Sequence, residues 1–548
     1  MTGKFLFRAL LAMFLCSGVS ATIVAQVSCD SIGRGAVVGH SDILFSQKVP
    51  AGTFTAPDGK KLERLPSFCR VVARATPSPE SNIIIEVWMP EAAAWNGKML
   101  GTGNGGFAGT IIYPALAGGI KRGYAVANTD MGTSPAGFPG VGYQAGNGRP
   151  EAVKDWGHRA THEMTLLARA AIDEYYGKQP VRAYFAGCST GGHQALTEAQ
   201  RYPDDYDAIL AGAPGHNRTH LHAMFASLAM AASAPGASMT ADNLKLWSLA
   251  LMNACAGKDG GAAGDKFLTD PTQCTFSPRE LLCKAGQDLS QCLREPQVKA
   301  LETIYGGTRN LRTGALIYPP EVRGVEGILA FMLSNPAVKS SGPPTDLSRW
   351  VFGPKWDGAT FDFDRDMAKE DQVLGKDINA LDTDLSKFAS HGGKLILFHG
   401  WADPIVSPID SILYYDRITA SGEDKSSFVR LFMAPGMSHC GGGDGPNVFG
   451  QSAELKEGDG SNDLLVALDR WVVTGIAPET VLATEYQGGS PFGGPPPPNA
   501  PVVATRQLCA YPKIARYNGS GDITKAESFP CSDAPRAKYE MPAPEYLK

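Results

Sequence analysis

No Cys-x-x-Cys pair occurs among the 11 cysteines of this chain, which speaks against a structural zinc site, where closely spaced thiolates are the rule. No block of lysine or arginine stands out in 548 residues whose formal net charge is −5. Without a basic footprint there is nothing to attract a phosphate backbone, so nucleic acid is not an expected partner. The N-terminal apolar run falls short of the ~20 residues that span hydrocarbon, so no stable membrane anchor is expected. No internal repeat is apparent, which argues against a solenoid. What remains is a chain with 43% apolar residues, long enough for a sizeable core and more than one domain.

The first residues read as an export signal. Lys4 and Arg8 supply positive charge, Leu10–Leu15 is apolar, and small residues follow at Ser20, Ala21 and Ala25. That layout predicts a cleaved signal peptide over residues 1–25 and a secreted or periplasmic protein. Leu15 before Cys16 is too bulky for lipoprotein processing. Cleavage leaves ten cysteines, and an even number in an exported chain predicts disulfides. Their pairing stays open at this point, although Cys283 with Cys292, and Cys509 with Cys531, would close short loops at low entropic cost.

Four short apolar strands run into glycine-rich or polar loops. Ile83 to Met89 and then Lys98 to Leu100 lead into Gly101-Thr102-Gly103-Asn104-Gly105-Gly106, and Val181 to Phe185 leads into Gly187-Cys188-Ser189-Thr190-Gly191-Gly192. Lys394 to Phe398 leads to Asp403, and Val429 to Met433 leads to His439. Continuous apolar strands belong in an α/β sheet covered on both faces, and ligands collect at the carboxyl ends of such strands. Ala160 to Tyr175 and His193 to Arg201 have the period of amphipathic helices. From about His216 the composition changes, through an Ala/Met-rich stretch, Cys/Gly/Asp-rich loops and an aromatic-proline segment at Trp350 to Trp356. A stretch of that size is not one loop. Residues 216–384 are therefore expected to form an inserted lid, with the catalytic domain split into 26–215 and 385–548.

Gly187-x-Ser189-x-Gly191 has the form of a nucleophile elbow, in which a tight strand-to-helix turn lifts the serine hydroxyl out of the sheet. With 63 glycines in the chain, the motif alone is weak; the strand before it and the helix after it give it weight. The elbow needs an acid and then a histidine in chain order. Asp403 and His439 both follow late strands and take those roles. His399 lies too close to the acid loop to be the first choice of base, and Asp410 and Asp444 are the rival acids. In this reading His439 accepts the serine proton, Asp403 orients the imidazole, and the Thr190 N–H with Gly105 or Gly106 stabilises the oxyanion. Cys188 and Cys440 stand beside the proposed nucleophile and base. If those meet, a disulfide between them would staple the two loops.

Gly187-Cys188-Ser189-Thr190-Gly191-Gly192, Asp403 and His439-Cys440, with Gly103-Asn104-Gly105-Gly106-Phe107, Asn128-Thr129-Asp130 and Gln200-Arg201-Tyr202-Pro203, resemble the tannase and feruloyl esterase family over nearly the whole mature chain. The resemblance implies an α/β-hydrolase fold with a large inserted lid and no organic cofactor. It implies cleavage of aromatic acyl esters, feruloyl esters first and galloyl or mono(2-hydroxyethyl) terephthalate esters as alternatives, the substrate being of the kind linked to plant polysaccharide. An inactive binding or scaffold protein on the same fold is the non-enzyme alternative. It further implies the disulfides Cys29–Cys69, Cys188–Cys440, Cys255–Cys274, Cys283–Cys292 and Cys509–Cys531. A structural Ca2+ in the lid is also implied, held by Asp259, Asp265 and the carbonyls of Gly261 and Phe267. Ala256 departs from that pattern where a ligating aspartate is expected, and Asp270 is the residue that would compensate. Trp401 and Val406 flank the acid loop and are expected to line the substrate cleft. Arg312, Arg323 and Arg349 are candidates to meet an anionic substrate group.

Overall fold

Alternate side chains of a strand face opposite sides of a sheet, so strands apolar on both sides require helices on both sides. The structure, a computed structural model, describes residues 27–33, 37–134, 143–326, 346–420, 427–454, 458–491 and 493–548. The expected signal segment, 1–25, lies outside them. Ten of the described strands make one sheet: β1 (Val37–Val38), β2 (Ser41–Val49), β3 (Phe68–Ala75), β4 (Ile83–Pro90), β5 (Lys98–Thr102), β6 (Ala125–Thr129), β7 (Arg182–Cys188), β8 (Ala208–Gly212), β9 (Lys394–Gly400) and β10 (Val429–Ala434). Their spatial order is β1-β2-β3-β4-β6-β5-β7-β8-β9-β10. The pairs from β1 to β6 are antiparallel, and those from β6 to β10 are parallel. This is the sheet of an α/β-hydrolase.

Burial follows the alternation. Met99, Ala127, Phe185, Ile209, Leu397 and Leu431 belong to one buried cluster; Leu100, Val126, Tyr184, Leu210, Phe398 and Phe432 belong to another. Three helices, α2 (Ala160–Tyr176), α3 (Thr190–Arg201) and α7 (Pro408–Thr419), contribute Leu167, Leu196 and Ile412 to the first. Two others, α1 (Tyr113–Lys121) and α8 (Leu464–Thr474), bring Leu116, Leu468 and Trp471 to the second. The helix expected from His193 starts three residues earlier, at Thr190, because the chain passes from strand to helix through Ser189 with no intervening loop.

Between the neighbouring strands β8 and β9 lie α4 (Arg218–Ser233), α5 (Ala241–Cys255) and α6 (Glu295–Gly306), with α4 packed on α6. The described part of this stretch adds no strand to the main sheet. It carries two of the five disulfides, Cys255–Cys274 and Cys283–Cys292. No described helix is long and apolar enough to cross a membrane.

Candidate active site

Strand order decides which loops meet. β5 lies beside β7, so the Gly103–Gly106 loop lies beside the Ser189 turn; β9 lies beside β10, so the Asp403 and His439 loops are neighbours. Ser189 has φ 64° and ψ −119°, a conformation that non-glycine residues seldom adopt. The surrounding glycines permit the turn. A Cβ on Gly187 would lie 2.5 Å from the Gly191 carbonyl oxygen, and one on Gly192 would lie 2.3 Å from the Gly212 oxygen. The small residues of the motif are thus demanded by backbone-to-backbone packing. The Ser189 N–H donates to the Gly212 oxygen at 3.0 Å, and its carbonyl accepts from Gly215 and His193.

Asp403 is fully buried and its carboxylate is saturated. Oδ1 accepts from the N–H groups of Ile405 (2.8 Å) and Val406 (3.1 Å); Oδ2 accepts from His439 Nδ1 (2.7 Å) and His399 Nε2 (3.1 Å). Burial alone would raise this carboxyl, but the charge and N–H donors of His439 and His399 outweigh it and hold the group well below the usual carboxylate range. An ionised Asp403 on Nδ1 fixes the His439 proton there and leaves Nε2 with its lone pair, as a base requires. His399 fills a supporting place. Its Nε2 faces two acceptors, Asp403 Oδ2 and the Val406 carbonyl at 3.0 Å, so that nitrogen carries the proton, while Nδ1 meets the Ser411 hydroxyl at 2.8 Å. Of the rival acids, Asp410 lies within 3.7 Å of His216 and neither it nor Asp444 forms a hydrogen bond to His439 among those described.

Cys188 and Cys440 are bonded, with Cα atoms 5.9 Å apart. The residues next in the chain to Ser189 and His439 are therefore fastened together. The other four expected disulfides are also formed. On the side of the Gly103–Gly106 loop, the Thr190 hydroxyl donates to the Gly106 carbonyl at 2.7 Å, and the Asn104 carbonyl accepts from the Gly191 N–H at 2.8 Å. Gly105 is exposed, with open space where a Cβ would be. Buried Asn104 anchors the loop: its N–H donates to Gln194 Oε1 and its Nδ2 to the Thr129 carbonyl. Asn128 clamps the base of the loop through the Thr102 carbonyl. Sequence reasoning gave Gln194 no role; its signal was a polar residue on a helix face otherwise buried. Gly103, Gly105, Cys188, Cys440 and Gln451 line a cleft of 390 Å³ beside the disulfide.

The residues expected to line the pocket have other neighbours as well. Trp401 faces a separate narrow cavity with Thr269, Met433, Tyr511 and Tyr539, and buried Val406 serves Asp403 and His399 through its backbone. The aromatic group near the Gly103–Gly106 loop is Phe107, Trp156, His222 and Trp350, with Phe107 to Trp350 centroids 5.2 Å apart. Arg312 pairs with Asp364, Arg349 with Asp346, and Arg323 donates to the Phe276 carbonyl.

The donors expected to hold Ca2+ are committed elsewhere. Asp259 accepts from the N–H groups of Gly261, Thr269 and Asp270. Asp265 accepts from Ala262 N–H and pairs with the Arg506 guanidinium at 2.9 Å. Asp270 caps its own short helix through the Thr272 N–H. Phe267 is buried, with its ring side 5.5 Å from the Arg506 guanidinium. Calcium needs six to eight oxygens turned inward, and this loop turns its carboxylates to N–H donors and a cation that is already part of the chain; the residues do not fit the metal. Chelation with EDTA is expected to leave the melting temperature unchanged, whereas Arg506→Met, which strands a buried carboxylate, should lower stability by about 3 kcal/mol in a denaturant titration. Replacing Cys188 and Cys440 together by serine should cost about 2–5 kcal/mol and lower kcat more than it changes KM, measured by thermal melt and by ester hydrolysis.

The family model described as tannase and feruloyl esterase matches residues 69–330 and 353–532. An uncharacterized esterase of Xanthomonas campestris pv. campestris is 36% identical, over 92% of this chain and 91% of its own length. A probable feruloyl esterase B-1 of Aspergillus flavus is 30% identical, over 94% of this chain and 98% of its own. The crystal structure of feruloyl esterase B from Aspergillus oryzae superposes with a TM-score of 0.82 at 29% identity, covering 92% of this chain and 99% of the other. By the extent of the family match and the identity to these relatives, the chain belongs to the tannase and feruloyl esterase family of ester hydrolases.

Proposed function

We propose that the protein hydrolyses aromatic acyl esters, feruloyl esters foremost, by an acyl-enzyme mechanism on Ser189, His439 and Asp403. The observation that carries this reading is the buried Asp403 carboxylate on His439 Nδ1 at 2.7 Å, in a loop bonded through Cys440 to the residue before Ser189. His439 Nε2 takes the hydroxyl proton as Ser189 attacks the ester carbonyl; the C–O bond to the alcohol then breaks and the proton passes to the leaving oxygen. Water repeats the sequence on the acyl-enzyme. The Thr190 N–H, at the start of α3, and a Gly105 or Gly106 N–H stabilise the tetrahedral oxyanion.

The aromatic acyl preference is supported by the group of Phe107, Trp156, His222 and Trp350 beside the oxyanion loop, since planar rings pack favourably against one another. Phe107 follows the oxyanion loop, whereas His222 and Trp350 come from the stretch between β8 and β9, which supports reading 216–384 as the lid over a core of 26–215 and 385–548. Five disulfides support export to an oxidising compartment, in keeping with a signal peptide at 1–25 and a substrate linked to plant polysaccharide.

Ser189→Ala is expected to lower kcat at least about 10³-fold with the melting temperature retained, and an active-serine fluorophosphonate should label the native chain at Ser189 alone. Retained turnover in the variant would refute the mechanism. Across methyl ferulate, methyl gallate and mono(2-hydroxyethyl) terephthalate, the highest kcat/KM is expected for the ferulate; a higher value for either of the others reassigns the substrate.

A further inference from the structure

Arg218 opens α4, directly after the loop that leaves β8. Its side chain is buried beside the nucleophile turn, and among the described residues no carboxylate lies within ion-pair reach of it. Nη2 donates to the Thr190 hydroxyl at 3.1 Å, and that hydroxyl donates to the Gly106 carbonyl at 2.7 Å. Nε has no hydrogen-bond partner among the described residues. The guanidinium carbon stands 4.9 Å over the Trp156 ring. Gly215, whose N–H donates to the Ser189 carbonyl, yields the room: a Cβ there would lie 3.0 Å from Nη2.

Such a placement is costly. Burying a charge without a counter-charge is unfavourable, and burial pushes this guanidinium down to about 10. Arg218 also sits at the N-terminus of α4 and touches the first residue of α3, so it adds positive charge where two helices already present the positive ends of their dipoles. The guanidinium and the N-terminus of α3 both bring positive potential to the turn that carries Ser189. The missing counter-charge is the one that exists only during reaction, on the carbonyl oxygen of the tetrahedral intermediate.

We propose that Arg218 is a positioning residue of the oxyanion hole. Through the Thr190 hydroxyl it locks the Thr190 backbone to the Gly106 loop, which sets the two sides of the hole at fixed separation, and its unpaired charge raises the potential where the oxyanion forms. The inference rests on the acyl-enzyme reading given above, and it needs no direct contact between guanidinium and substrate.

The test uses the full-length enzyme with active sites counted by fluorophosphonate titration, so that misfolded chains drop out of the kinetics. Arg218→Met is expected to lower kcat on methyl ferulate by about 10–100-fold, less than the loss of a direct oxyanion donor, with KM within about twofold. Arg218→Lys, which keeps the charge and loses the fork, should fall between. Phenylboronic acid, whose serine adduct carries the tetrahedral negative charge, should lose affinity in parallel with kcat, while ferulate as product inhibitor should bind as before. Thr190→Val, milder in its effect on folding, should lower kcat by a smaller factor and add nothing in the Arg218→Met background. Unchanged kcat and unchanged boronate affinity in Arg218→Met would overturn the proposal, as would a rise in KM alone or strict additivity with Thr190→Val. A native enzyme that the fluorophosphonate fails to label would instead overturn the acyl-enzyme reading itself.

Discussion

The reach of one loop governs this site. Neighbouring strands lie about 4.8 Å apart, so β7 and β10, three positions apart, are separated by roughly 14 Å at the level of the sheet. The loop that follows β10 has to lean back over β8 and β9 for its histidine to approach the serine turn. Two bonds place its histidine end: the hydrogen bond from His439 to Asp403, at the intermediate strand β9, and the Cys188–Cys440 disulfide at the far end. The first sets the rotation of the imidazole and the second its distance. Neither would serve without the tight packing of Gly103, Gly187, Gly191 and Gly192, which gives the elbow a rigid floor.

Asp403 depends in turn on what surrounds it. A carboxylate shut away from water is stable as an anion only when its lone pairs are taken, and here four N–H donors take them. Two come from the backbone turn through Ile405 and Val406, and one comes from His399 on the buried side. His399 and His439 thus divide the work on that carboxylate: one is fully buried and steadies it from inside, and the other is partly exposed.

Much of this was legible in the sequence because the signals were local or ordered. Continuously apolar strands pointed to the sheet, and Ser189, Asp403 and His439 stood out because each follows such a strand in the required order. The cysteine pairing at the site was legible by adjacency to those residues. Side-chain direction was harder to read. Trp401 is one residue beyond β9, and nothing in its neighbours told that it lines a cavity with Tyr511. The acidic loop expected to hold Ca2+ was hard to read for a related reason: Arg506 lies 241 residues from Asp265, and only the fold brings the guanidinium to it. Arg218 was hidden in the same way, since a cation's lack of a counter-charge is a property of three-dimensional surroundings.

The disulfide at the centre carries a consequence in time. A sulfur–sulfur link of this kind forms where oxidant is available, so a copy still among reduced thiols lacks the one covalent tie between the His439 loop and the Ser189 turn. The geometry at the site is thus completed by oxidation and not by folding alone.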